Sequence, residues 1–354
     1  MNVRKKISTA LKVLFILIMI ICATGFTKEC TKGALNGIYF CAEVLVPSIF
    51  PFMVISVFVV KSGISAMLGK YLDKITTALF GLSGKCGMVI LLSVIGGYPV
   101  GARGLTQLYE QGELDKNSAK KAAYFAVGAG PGFLLSFVGV RLLNSFEVGA
   151  CILTSQVISV IILGMANKYI FREKRTYNSK NELKNKYSSL TDAVVESTVS
   201  ATYGILEMCG MVVAFSAVGN VIRSLIENDV IGKYVDVLLE VTTACSTLAK
   251  GRNILMIAFS VGFAGICVHF QIFQALKNIR INKAVFFLYR IIQGLITALF
   301  TYIFIRAFGV TLPVFSSVQD TELSLSSSVL GSGLLVLCGV CFLYSIKKNK
   351  YGGN

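Results

Sequence analysis

Between Ser93 and Arg103 the chain reads SVIGGYPVGAR, so three glycines and a proline follow directly on the apolar run Met88–Leu92. Proline brings no N–H to a helix and fixes φ, while glycine enters backbone regions closed to other residues. A helix arriving here is expected to stop near Ile95 and restart around Val100. If lipid surrounds the chain, irregular backbone persists only where protein buries it or where it lines a water-filled cavity. Any fold for this sequence has to shelter that break.

Lipid is the expected surrounding. The 354 residues are 55% hydrophobic and 15% charged, and the mean hydropathy is +0.72. Several nearly uncharged runs approach the roughly 20 residues that cross a bilayer. The expected class is an all-α polytopic membrane protein. The net charge of +16 does not point to nucleic acid. Its lysines and arginines fall in short segments between apolar runs, as in cytoplasmic loops, and no basic–aromatic module accompanies them. Cysteines such as Cys41, Cys151, Cys209 and Cys267 lie inside apolar runs and read as small packing residues. Cys338 and Cys341 have CxxC spacing but no second pair or nearby histidine, so no metal or other cofactor is expected.

Arg4, Lys5 and Lys6 precede an apolar segment from about Leu11 to Phe26, which reads as a retained first span (residues 1–33) with a cytoplasmic amino end. The next apolar segment, Ala34 to Ile64, contains Pro47 and Pro51 and is expected to be kinked or discontinuous. Met67 to Lys85 suits an amphipathic helix on the cytoplasmic surface. Met88 to Gln111 reads as a re-entrant hairpin. The crossings Lys121–Leu143 and Val148–Phe171 then leave the basic linker 172–190 in the cytoplasm, as positive charge prefers. GAGPGF (Gly128–Phe133) interrupts the first of these crossings. Four of the five prolines thus sit within three apolar segments, a clustering that reads as a site.

The second half repeats the first faintly. A shift of 167 residues places Ser93-Val94 on Ser260-Val261 and Gln107 on Gln274. Residues 34–171 and 191–346 are expected to form inverted repeats, each with a re-entrant hairpin and a broken transmembrane helix, followed by a basic tail, 347–354. Such repeats mark secondary transporters with a midplane site. In this scheme Val230–Ala249 is amphipathic and Ile254–Ala275 is the second hairpin. That hairpin would leave Lys277, Arg280, Lys283 and the tail outside, against the charge preference, whereas a spanning segment would place them inside.

An interrupted helix exposes uncapped N–H groups, and the restarting half points its positive end at the gap. Gly96, Gly97, Gly101 and Ala102 leave room around such a gap, Pro99 enforces it, and Arg103 offers planar donors to a carboxylate. Tyr98 and Gln107 add stacking and polar contacts, or serve packing within the hairpin. Gly130 and Pro131 form the second break. Glu43 and Glu207 lie within apolar segments, where a carboxylate faces a cavity or a partner. His269 and Gln271 belong to the second candidate hairpin, and a lone histidine there reads as a packing residue or a proton switch. No enzyme signature is present: HExxH, GxSxG and a P-loop are all missing.

The succession VPSIFPF (Val46–Phe52), GGYPVGA (Gly96–Ala102), GPGF (Gly130–Phe133) and GFAG…Q (Gly262–Gln271) resembles the YlbJ-type (SpoVV) sporulation integral membrane proteins. The resemblance covers about Asn36 to Phe308. It implies membership of the nucleoside-recognition or Gate domain group, with the architecture of concentrative nucleoside transporters. The implied activity is movement of dipicolinic acid from the mother cell across the outer forespore membrane. Gly96 stands where relatives often have serine, and GAGPGF lacks the asparagines often found before its Gly-Pro. Both departures bear on the ligand more than on the fold. A nucleoside carrier and a non-transporting scaffold of spore morphogenesis are the alternatives.

Overall fold

The computed structural model describes residue 20, residues 24–171 and residues 189–310. Helix α1 (Thr27–Phe40) passes through a π turn (Cys41–Leu45) into α2 (Val46–Lys61), giving one 35-residue candidate span. The interruption expected at Pro47 and Pro51 is absorbed rather than broken. The Val46 N–H reaches back to the Cys41 carbonyl, one residue farther than in an α-helix. Pro47 then falls in the first turn of α2, where a missing N–H costs least.

Helix α3 (Ile64–Phe80) is the expected amphipathic helix, and its portion Met67–Phe80 meets α4 (Gly84–Gly96) at 87°. Helices α4 and α5 (Tyr98–Glu110) have 13 residues each. At about 1.5 Å per residue each is about 20 Å long, short of the roughly 30 Å hydrocarbon core. Gly101 lies against Ser93 and Gly104 against Val89, so the two helices run antiparallel. The first re-entrant hairpin is present.

Asp115 caps α6 (Lys116–Phe125) by accepting from the Ser118 N–H at 2.9 Å. The chain is non-helical over 126–130 and restarts in a π-helical stretch, Gly132–Leu142. GAGPGF therefore does break its helix. Helix α7 (Phe146–Ile170) follows, and α8 (Leu190–Ser224) is a second 35-residue span. Helix α8 runs antiparallel to α1: Gly33 packs on Ser216 and Ala217, Gly37 on Val213, and the Cys41 thiol points to the Cys209 carbonyl at 3.8 Å.

The second half departs from expectation in one respect. Helices α9 (Asp229–Leu239) and α10 (Val241–Lys250) fold back on each other about Glu240, whose backbone is extended (φ −151°, ψ 121°). Helices α11 (Ile254–Phe263) and α12 (Gly265–Ala275) instead form one 22-residue candidate span. The fold-back is thus 229–250, expected as one amphipathic segment, while 254–275, expected as the second hairpin, is a broken helix long enough to span. Backbone geometry separates them. Ala264 (φ 74°, ψ −6°) keeps a helical ψ and lets the chain continue, whereas Gly97 (φ 93°, ψ −177°) is extended in ψ and reverses it. With α8 and α11–α12 crossing and α9–α10 not, Leu190 and Ala275 share a face. A spanning 254–275 puts Lys277, Arg280 and Lys283 on the side where α8 begins, the spanning alternative that agrees with the charge preference.

Helix α13 (Lys283–Phe308) closes the described fold beside α7. The Tyr289 hydroxyl donates to Asn167 Oδ1 at 2.8 Å, and Thr297 meets Ser159 at 3.2 Å. Gly262 and Gly294 bring α11 and α13 into backbone contact. Of the expected first span Leu11–Phe26 only residue 20 and residues 24–26 are described. The linker up to residue 188, the segment Ser327–Ile346 and the tail 347–354 lie outside the described residues.

Candidate functional site

Each hairpin tip abuts a helix break. At the first, a Cβ on Gly97 would stand 3.3 Å from the Gly130 nitrogen, so only a bare backbone brings this tip onto the 126–130 interruption. Ser93 Oγ donates to the Ala126 carbonyl at 2.9 Å, tying hairpin and break together. From α7, Gln156 clamps the same break: its Oε1 accepts from the Ala129 N–H at 2.9 Å and its Nε2 donates to the Ala129 carbonyl at 2.8 Å. At the second tip, Gly265 packs on the backbone of Leu239 and Glu240.

Two buried charges hold this region, and both escaped the sequence reading. Glu240 is 2% exposed and accepts from the N–H groups of Thr242 (3.0 Å) and Thr243 (2.8 Å) and from both threonine hydroxyls. Its carboxylate thereby caps the positive end of α10. Arg290, on α13, is fully buried. It donates to the carbonyls of Val127 (2.6 Å), Phe263 (3.4 Å) and Gly262, and to Gln293 Oε1 at 2.7 Å. Those carbonyls belong to both helix breaks, whose orphaned acceptors need a buried donor. The guanidinium also lies 5.8 Å from the Tyr98 ring centroid, and the Tyr98 hydroxyl donates to the Val261 carbonyl at 2.6 Å.

A cavity lies between the tips and breaks. Gly97, Tyr98 and Pro99 line it from the first hairpin, and Ala129, Gly130 and Phe133 from the first broken helix. Glu240, Val241 and Thr242 come from the second hairpin, Val268 and Gln271 from α12, and Leu45, Ile49, Met208 and Val212 from the long spans. It measures about 30 Å³ to a water-sized sphere, room for about two waters.

Of the expected site residues, Gly97, Tyr98, Pro99, Gly130 and Gln271 thus come together. Gly96, Gly101, Arg103, Gln107, Pro131 and Glu207 do not line the cavity. Gly96 packs on Val100, and Gly101 on Ser93 and the Ala126 carbonyl. Arg103 is paired with Glu207 of α8 at 2.5 Å, and Glu43 with Arg141 at 2.6 Å. Partners therefore account for both intramembrane carboxylates. His269 is buried, with Nδ1 on the Gly265 carbonyl and its ring among Phe263, Phe273, Phe286 and Phe287, as a packing residue would be. Arg290 and Gln293 had a visible signal, since polar groups inside an apolar span point to function or partnership. Among the described residues no cluster suited to a metal ion occurs.

The chain is similar over nearly its whole length to the sporulation integral membrane protein YlbJ of Bacillus subtilis (strain 168): 20% identity over an alignment 391 positions long, covering 96% of this chain and 95% of that protein. No family model and no solved structure matches it. The alignment runs nearly from end to end of both chains, and the fold brings the GGYPVGA and GPGF breaks to one cavity, so the chain resembles the YlbJ-type sporulation integral membrane proteins.

Proposed function

We propose that the protein is a carrier, not an enzyme, for a small anionic heteroaromatic, dipicolinate foremost, moved from the mother cell across the outer forespore membrane during sporulation. The observation that carries this reading is the convergence of two hairpin tips and two helix breaks on one cavity between long spans. Half-helix amino ends are a source of N–H donors and positive potential for an anion in the bilayer. The starts of α5 and of the 132–142 stretch adjoin the cavity, while that of α10 is capped by Glu240. Tyr98 offers a ring to a planar ligand, with the Arg290 guanidinium 5.8 Å from its centroid. On this reading residues 34–171 and 191–346 are inverted repeats of the Gate type, their hairpins entering from opposite faces.

A nucleoside carrier is the second reading. It is favoured by the absence of any lysine or arginine from the cavity lining, where Gln271, Thr242 and Glu240 supply the side-chain polar groups. Reconstitution into liposomes decides. Exchange of labelled for unlabelled dipicolinate supports the first reading, and competition by uridine but not dipicolinate supports the second. A folded protein that moves neither is a scaffold of spore morphogenesis.

A further inference from the structure

Broken-helix carriers commonly hold a coupling cation on the unwound carbonyls and the carboxyl ends of half-helices. Here those acceptors are already taken. The Arg290 guanidinium sits on the Val127, Gly262 and Phe263 carbonyls and leaves this place to no metal ion. The cavity lining, meanwhile, holds a carboxylate, Glu240. It is 2% exposed, and no lysine, arginine or histidine among the described residues pairs with it. The titratable groups that feel its charge are the Tyr98 phenol of the first hairpin and the thiols of Cys41 in the π turn between α1 and α2, Cys245 on α10 and Cys267 on α12. None of these carries positive charge near neutral pH, and the buried Arg290 guanidinium, 5.8 Å from the Tyr98 ring centroid, donates to Val127, Gly262, Phe263 and Gln293 and not to Glu240.

A resident negative charge beside the route of an anion opposes its arrival unless that charge is removed when the anion comes. We propose that Glu240 is the coupling site and that its co-ion is a proton, not sodium. This rests on the carrier reading above. A proton from the aqueous face adds to one carboxylate oxygen of Glu240, the neutral acid no longer repels the anion, and both leave together on the other side. Protonation also takes an acceptor from the N–H and hydroxyl groups of Thr242 and Thr243. The cap on α10 is loosened at the point where the second hairpin tip rests on Gly265. Neutralisation and opening of the tip are thereby one event.

The test uses the full chain in liposomes with potential clamped by valinomycin and equal potassium, radiolabelled dipicolinate as probe, and an enclosed pH dye. With one proton per dipicolinate, a one-unit gradient, acid outside, is expected to give about tenfold accumulation by mass action. The dye is expected to report acidification when dipicolinate is added, and a sodium gradient to give no accumulation. Glu240→Gln is expected to lose both the accumulation and the dye signal, and Glu240→Asp to keep the dye signal. Accumulation driven by sodium, indifferent to the pH gradient, or still driven by it in Glu240→Gln would overturn the assignment. If Glu240→Gln does not fold, the wild-type dye signal decides by itself. Dipicolinate exchange without proton movement defeats only the proton assignment, whereas no dipicolinate exchange at all defeats the carrier reading and this inference with it.

Discussion

Arg290 Nη1 lies 2.6 Å from the Val127 carbonyl, so a side chain of α13 ties off the break that follows α6, while the same guanidinium holds the carboxyl end of α11. One residue joins the two interruptions. Replacing it with methionine strips the donor from three buried carbonyls, and stranding buried acceptors is costly. Arg290→Met is expected to lose about 3 kcal/mol or more of stability, read as a fall in thermal unfolding temperature in detergent. Arg290→Lys is expected to recover only part, because an ammonium lacks the planar fork that spans three acceptors.

Gly97 at φ 93° and ψ −177° holds a conformation that residues with a side chain scarcely adopt. Gly97→Ala is expected to cost about 1–3 kcal/mol in backbone strain and to push the hairpin tip off Gly130. Gly210, in α8 with open space around it, is the control. Gly210→Ala is expected to leave unfolding unchanged or raised. Equal losses at both positions would mean that the tip is not under the constraint described.

The Arg103–Glu207 pair is partly exposed, at 26% and 47% of the two side chains, so its coupling is expected to be about 1 kcal/mol. Arg103→Ala and Glu207→Ala are expected to reduce dipicolinate accumulation to a similar, partial degree. The exchanged pair Arg103→Glu with Glu207→Arg is expected to restore it. Complete loss in Arg103→Ala together with failure of the exchange would return Arg103 to direct substrate contact.

If α11–α12 crosses the membrane, reporters placed on its two sides face different compartments. Alkaline phosphatase fused after Gly251 is expected to be active, and the same fusion after Asn278 inactive, with green fluorescence showing the reverse. Matching signals at both positions would restore a hairpin over 254–275.

Glycine and proline made part of this site readable in advance. Gly97, Pro99 and Gly130 are residue types that weaken a helix interior, and their clustering within apolar runs marks where a break is sheltered. Glu240 left no such mark. It follows Asp229, Lys233 and Asp236, which make the whole segment look like one surface helix, and only the fold-back between Leu239 and Val241 buries it. The shift of 167 residues did bring two interruptions into register, Gly97 and Ala264, but they are a hairpin tip and a helix break. Helix α3, 17 residues long, stands between span and hairpin in the first half, while only Leu225–Asn228 separates α8 from α9. No single offset could align the halves throughout. The pairings of Glu207 and Glu43 depend on how helices distant in sequence pack together, which periodicity does not encode.

On the carrier reading, a hollow with room for about two waters is an ante-room rather than a berth, and admitting anything as broad as a pyridine ring requires Tyr98 and the Glu240 turn to part. Compounds built to plug an open vestibule would find little purchase on this shape. Blockers of this protein are better sought among slender molecules that wedge the seam between the two turns and keep it from closing.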